Sequence, residues 1–372
     1  MVSQLIATPS ISCVQPERDM SNEPVIDLLA NWFETSGFRV RKQPVSKGKY
    51  NLIATLGEGS DGLIFSGHTD TVPCDDILWR SDPFTLTERD NRYYGLGSCD
   101  MKSFIAMAIA ASQHFKAEQY RRPLTIIATA DEETSMSGAR LIAEDGRKLG
   151  RYCVIGEPTG LTPVREHKGI MMECIQFSGS SGHSSDPALG NSALEGMHEF
   201  IQHLLNFRNQ LQQEFNNSAF KIAVPTLNLG HIHGGDNPNR ICGECELHFD
   251  LRFLPGMDIH ELRVQIQALA DKVAEKRALQ VKFTPLVMGI PAMHTHSQSQ
   301  LNEYLEELTC KQSESVAFGT EAPFYNAMGC ETIVMGPGSI DQAHQPDEFL
   351  PIDQIQPTVR LLESLIQRFC CQ

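Results

Sequence analysis

Apolar positions Val25, Leu28, Leu29 and Trp32 recur at helical spacing and predict a first helix over 24–38, with Gly37 placed to end it. Two short apolar runs follow, 51–56 and 63–65, and read as extended segments. The chain from 81 to 100 is polar and turn-rich. Over 101–115 the residues Phe104, Met107, Ala108, Ala111 and Phe115 fall on one stripe, which predicts a core-facing helix. Residues 124–130 are rich in β-branched side chains and predict a buried strand, and 152–155 a second. Strands alternating with helices predict an α/β fold: a mixed, largely parallel sheet with helices on both faces.

The pattern changes near Gly169. A strand is predicted over 170–177 and a long helix over 192–215, where Leu194, Met197, Ile201, Leu204 and Leu211 share one face. Strands over 223–233 and 244–253, joined by a loop rich in Gly and Asn, come next. A helix over 258–277 and a strand over 280–286 complete the set. Strand-helix-strand-strand-helix-strand is the ferredoxin-like order. The expectation is an α+β domain, 170–286, inserted between two parts of the first, 1–169 and 287–372. In the last part, helices are expected over 300–311 and 354–369, and strands over 316–318 and 332–335 that return to the original sheet.

Composition narrows the function classes. The 372 residues are enough for two cores, and 41% hydrophobic content is that of an ordinary globular chain. A net charge of −15 argues against a nucleic-acid partner and against an anionic membrane surface. No apolar run approaches the ~20 residues that cross a bilayer. The first twenty residues lack the basic-then-apolar pattern of a signal peptide. Eleven scattered cysteines fit the reduced thiols of a cytoplasmic chain better than a disulfide framework.

Candidate chemistry gathers where strands are predicted to end. His68 and Asp70, two apart in extended backbone, point to the same side and suit a metal ligand with a carboxylate that orients it. Asp131, Glu132 and Glu133 follow the 124–130 strand, Glu157 follows 152–155, and His344 lies beyond 332–335. Asp100 opens the 101–115 helix. Each has an ordinary reading: a helix N-cap, a solvated acidic turn, a strand exit, a surface histidine. Together they exceed what turn chemistry explains, because open α/β sheets hold their ligands at the carboxyl ends of strands. Two histidines and several carboxylates without cysteine suit two divalent ions of the zinc kind that share a bridging carboxylate. Water held between two such ions is a nucleophile at neutral pH, and a nearby glutamate can serve as its base.

Four motifs, Ser66-Gly67-His68-Thr69-Asp70-Thr71-Val72-Pro73, Gly95-Leu96-Gly97-Ser98-Cys99-Asp100-Met101-Lys102, Ala130-Asp131-Glu132-Glu133-Thr134 and Gly156-Glu157-Pro158, resemble the co-catalytic zinc aminoacylase and carboxypeptidase family. The resemblance runs in order over nearly the whole chain. The segments 6–12, 131–140, 227–236 and 336–348 narrow it to bacterial members that deacetylate acetylornithine. It implies a di-zinc exopeptidase-like fold whose inserted domain serves as lid and dimerisation element. It implies two metal ions per subunit, zinc or cobalt, with Asp100 bridging, His68 and Glu157 completing one site, and Glu133 and His344 the other. Asp70 would orient His68, and Glu132 would be the general base. His183 matches a lid histidine that stabilises the oxyanion from across a dimer, and Asn239, Arg252, Gly319 and Thr320 match substrate-binding positions. Arg240, beside Asn239, is a second candidate to grip a substrate carboxylate. The implied activity is amide hydrolysis of an N-acyl-amino acid. Another acyl-amino acid, a succinyl-diaminopimelate or a dipeptide remain alternative substrates, and a non-catalytic metal-binding homologue is the remote one. Two departures stand out: Ser103 where the family often has Gly, and Cys99 directly before Asp100. Neither removes a ligand.

Overall fold

Leu63–His68 and Leu124–Thr129 are buried at every residue, as strands covered on both faces must be. The computed structural model that shows this describes residues 1–372. The chain divides into two units. The first comprises Met1–Arg165, His294–Glu314 and Thr320–Gln372, and the second Glu166–Met293 and Ser315–Gly319.

In the first unit the strands Arg39–Ser46, Lys49–Leu56, Leu124–Thr129, Leu63–His68, Tyr152–Pro158 and Glu331–Gly336 lie side by side in that order. The last four are mutually parallel; the first two are antiparallel to their neighbours. One face packs on a core that includes Leu29 and Phe33 of the helix Glu23–Thr35, Phe104 and Ala108 of Lys102–Ser112, and Leu362 and Ile366 of Ile355–Phe369. On the other face the Ser66 hydroxyl meets Tyr325 of the short helix Ala322–Ala327 at 2.6 Å. The mixed, largely parallel sheet with helices on both faces is therefore present. The expected helix over 101–115 runs only over Lys102–Ser112, and it is buried nearly all round rather than along one stripe. The strand Arg39–Ser46 escaped the sequence reading because it is a polar edge strand, with charged side chains where a central strand has apolar ones.

The second unit has a four-stranded antiparallel sheet in the order Thr226–Gly234, Glu244–Phe253, Gly169–Ser178, Gln280–Pro285. Burial alternates residue by residue along Gly169–Ser178 and Glu244–Phe253. The buried set, with Ile175, Phe177, Leu247 and Phe249, joins Phe200 and Leu204 of the helix Ala193–Glu214 and Ile266 of Ile259–Arg277 in one core. This is the ferredoxin-like arrangement.

Candidate metal centre

Because the four central strands of the first unit run parallel, their carboxyl ends lie together, and each delivers a polar side chain there. His68 ends Leu63–His68, and Glu157 is the penultimate residue of Tyr152–Pro158. After Leu124–Thr129 the chain turns sharply: Asp131 has φ 56°, a conformation rarely held by a side-chain-bearing residue. Two clamps hold the turn. Asn51 accepts from the Ala130 N–H (3.1 Å) and donates to the Gly138 carbonyl (2.9 Å). The Asp131 carboxylate takes the Ser12 hydroxyl (2.9 Å) and the Lys49 ammonium (3.0 Å). Glu132 and Glu133 project from this turn, and the Glu133 N–H donates to Asp70 Oδ2 at 3.0 Å. His344, after Glu331–Gly336, is also held at positive φ (60°).

Asp100 lies at the middle of the group. Its Oδ1 is 3.0 Å from His68 Nε2, and its Oδ2 is 3.7 Å from His344 Nε2. Each oxygen thus faces a different imidazole, the geometry of a bridging carboxylate. His344 Nε2 is 2.9 Å from Glu133 Oε2. The donor atoms of His68, Asp100 and Glu133 lie within 4.8 Å of one another, and so do those of His68, Glu132 and Glu157. Bonds of about 2.0–2.2 Å at tetrahedral angles separate the donors of one ion by about 3.3–3.6 Å, so these atoms are placed to take ions with small movements.

Charge makes the same demand. Burial pushes the Glu132 and Glu157 carboxyls well above their ordinary range, with each other's or Asp100's charge adding to it. Burial raises Glu133 as well. Burial works against the Asp100 carboxylate too, but the His68 hydrogen bond, the charges of His68 and His344 and a bond to Glu157 together outweigh it and hold Asp100 low. Burial disfavours the His68 imidazolium, yet the bond to Asp100 together with the charges of Asp100, Glu132 and Asp70 leaves its pKa well above 6.5. His344 is raised chiefly by its bond to Glu133. Glu157 Oε1 and Asp70 Oδ1 are buried without a hydrogen-bond partner. A crowd of buried carboxylates with orphaned oxygens must be neutralised, by protons or by cations that join it. The residues fit divalent metal.

Asp70 acts differently from the expectation. The His68 Nδ1–H donates to the Asp70 main-chain carbonyl at 2.9 Å, while the Asp70 carboxylate stands 3.8 Å away. The carbonyl fixes the tautomer and leaves Nε2 for a metal. The carboxylate is turned instead to the Glu133 backbone.

Sequence reasoning missed Glu348. It is buried, its pKa is pushed to about 8, and it accepts from the N–H groups of Gly97 (3.0 Å), Cys99 (2.7 Å) and Asp100 (2.9 Å). It is the clamp that shapes the loop carrying Asp100. Lys102 is also buried and donates to the Leu5 and Thr8 carbonyls at 3.2 and 2.9 Å. The apolar Phe349-Leu350 that follows Glu348 was the only sequence signal of its burial.

Of the expected substrate-binding residues, Thr320 begins a segment of the first unit and is buried, its hydroxyl accepting from the Ala322 N–H at 3.1 Å. The others lie in the second unit. There His183 and Arg240 form a β-bridge, and the Ser184 N–H donates to the Asn239 carbonyl at 3.0 Å. The loops bearing His183, Asn239 and Arg240 are thereby joined. His183 Nδ1 is 2.7 Å from the Ser185 hydroxyl, Arg240 pairs with Asp236, and Arg252 donates through Nε to the Asp250 carboxylate. Gly319 closes the short segment Ser315–Gly319.

Comparison with known proteins agrees with this geometry. The sequence profile of Peptidase family M20/M25/M40 matches residues 64–368. An acetylornithine deacetylase from Edwardsiella ictaluri (strain 93-146) is 50% identical over 368 residues, 98% of this chain and 96% of the relative. An acetylornithine deacetylase from Photorhabdus laumondii is 47% identical over 369 residues, 99% and 96% of the two chains. Among solved structures, aminopeptidase PepT from Bacillus cereus ATCC 10987 shares the fold, with TM-score 0.76 at 18% identity over 99% of this chain and 96% of that one. The Bacillus subtilis YXEP protein, described as a dinuclear metal-binding peptidase, superposes with TM-score 0.70 at 14% identity over 99% and 96%.

Proposed function

The chain belongs to Peptidase family M20/M25/M40, and we propose that it hydrolyses N2-acetyl-L-ornithine to L-ornithine and acetate. The observation that carries the chemistry is Asp100 with an imidazole on each of its oxygens. The substrate follows from two acetylornithine deacetylases at 50% and 47% identity over nearly the full length. Such an activity serves arginine biosynthesis, and the same proposal assigns the chain to the cytoplasm.

Two divalent ions, zinc by the donor set, would be held by His68, Asp100 and Glu157 and by Asp100, Glu133 and His344. When bound, they supply Lewis acidity that acidifies a water and polarises the amide carbonyl. Glu132 is the general base: it takes the proton of the attacking water and later delivers it to the nitrogen that leaves as the ornithine amine. His68 is kept in its metal-binding tautomer by the Asp70 carbonyl, and Glu348 holds the Asp100 loop. Arg252 or Arg240 is assigned to the substrate carboxylate, and Asn239, Gly319 and Thr320 are assigned to substrate binding. His183 is assigned to the oxyanion, donated by the second subunit of a homodimer.

The test is acetate release from N2-acetyl-L-ornithine by metal-stripped protein before and after zinc is added, beside acetylmethionine and succinyl-diaminopimelate. Zinc-dependent activity greatest on acetylornithine supports the reading. Zinc-dependent activity greatest on another amide keeps the mechanism and overturns the substrate. Mixed His183→Ala and Glu132→Gln chains that regain no activity overturn donation across the dimer.

A further inference from the structure

Away from that centre, one other group of metal-competent side chains converges. It lies on the sheet of the second unit, on the half-exposed side of the residue-by-residue alternation. The register sets His248 opposite Cys174 on one neighbouring strand and opposite His231 on the other. Glu246, two residues from His248, shares its face. The placement of His231 depends on a β-bulge between Leu229 and His231. Without the extra residue, Gly230 would oppose His248 and His231 would turn to the core side. Bulges commonly re-aim a side chain in this way.

The distances have no explanation in hydrogen bonding. The Nε2 atoms of His231 and His248 each lie 3.6 Å from the same oxygen, Glu246 Oε1. That is too long for a hydrogen bond. It matches the separation of two donors on one tetrahedral ion, about 3.3–3.8 Å for bonds of about 2.0–2.3 Å. The donor atoms of Cys174, Glu246 and His248 lie within 4.8 Å of one another, and the two imidazole rings are 4.7 Å apart. The side chains of His231, Glu246 and His248 are 51%, 35% and 33% exposed, so an ion can reach them from solvent.

We propose that Cys174, His231, Glu246 and His248 bind one further divalent transition-metal ion on the sheet of the second unit. Two imidazoles, one thiolate and one carboxylate form a donor set for zinc, cobalt, nickel or copper, and a poor one for magnesium or calcium. On binding, the Cys174 thiol releases its proton to the buffer and its sulfur ligates the ion. The ion ties the edge strand Thr226–Gly234 to the two strands inside it, and so acts as a staple of the second unit. Every ligand lies in that unit, and the inference does not rest on the proposed activity.

Cobalt distinguishes this site spectroscopically, because the donor set of the first unit contains no cysteine. Metal-depleted full-length protein is titrated with Co2+, following bound metal and near-ultraviolet absorption. The expected result is a thiolate-to-cobalt charge-transfer band, and one more cobalt per chain than Cys174→Ser binds. Cys174→Ser and His231→Ala each abolish the band and keep acetate release, and excess zinc, but not magnesium, displaces it. Cys242 and Cys245, three residues apart, are the other thiols of the second unit, with Cys245 buried in the core. Cys242→Ser therefore keeps the band. Absence of the band in the unsubstituted protein, its survival in Cys174→Ser, or its loss in Cys242→Ser overturns the proposal. A chain that hydrolyses no amide but shows the band refutes the proposed activity and leaves this site standing.

Discussion

Glu132 and Glu133 are neighbours of one type with different surroundings, and their roles divide accordingly. Glu133 is tied to His344 at 2.9 Å, whereas Glu132 meets the cluster through its half-buried position near His68 and Glu157. Glu132→Gln keeps shape and removes the base. It is expected to lower kcat by about 10²–10⁴-fold while two metals stay bound, as kinetics and metal analysis would show; near-full turnover would remove Glu132 from the mechanism. Glu348 is not itself an expected ligand, but it holds the backbone of Asp100. Outer partners of this kind are worth about 10–100-fold in metal affinity. Glu348→Ala should lose that much in a competition titration with a chelating dye, and Glu348→Gln, which keeps one acceptor oxygen, should lose less. His68, Glu132, Glu133 and Glu157 were legible as candidate ligands because each ends or follows an apolar run that had to be a strand, and Asp100 because it opens the helix that runs over Lys102–Ser112. The role of Glu348 was not, because its partner Asp100 is 248 residues away and the contact exists only in the fold. The Asp70 carboxylate illustrates a second limit: a spacing of two predicts the side of a strand, but not whether side chain or carbonyl meets the imidazole.

Elements were legible where burial forces a pattern. The strands Leu124–Thr129 and Glu244–Phe253 announce themselves by β-branched runs or strict alternation. The polar edge strand Arg39–Ser46 and the six-residue helix Ala322–Ala327 do not, since one has little apolar content and the other is too short for a stripe. Close approach of two elements is equally invisible from either alone. Lys102–Ser112 lies so near Tyr152–Pro158 that a Cβ on Gly156 would sit 2.0 Å from the Phe104 ring. The ring is buried and edge-on to Phe65, so it has little room to retreat. Gly156→Ala is therefore expected to destabilise by at least about 1–3 kcal/mol, the usual range for overpacking. It should also shift Glu157 and weaken metal binding. Urea denaturation of the metal-free chain measures the first effect alone; an unchanged midpoint would show that the helix can move aside.

For the whole molecule, the buried carboxylates tie stability to metal and pH together. In the metal-free chain burial lifts Glu321 from 4.5 to about 7 and Glu348 to about 8, and raises Glu132 and Glu157 well above the ordinary range. The folded state keeps these protons at a pH where the unfolded chain has released them. Stability from this source is complete below the unfolded values and is lost as pH rises through the folded ones. His68, raised above 6.5, has the same sign. Lys102, lowered to about 7 by burial, has the opposite sign, but its contribution changes only between about 7 and 10.5. From about pH 5 to 7 the carboxyls therefore set the direction, and the Tm of chelated protein should fall. Bound cations favour the ionised carboxylates and oppose that fall, since a ligand of the folded state alone stabilises it. The drop in Tm on adding a chelator should accordingly widen with pH across this window, as scanning calorimetry at two pH values would reveal. An equal drop at both would mean that the carboxylates are already ionised without metal, and that the cluster is balanced by charges of the chain itself.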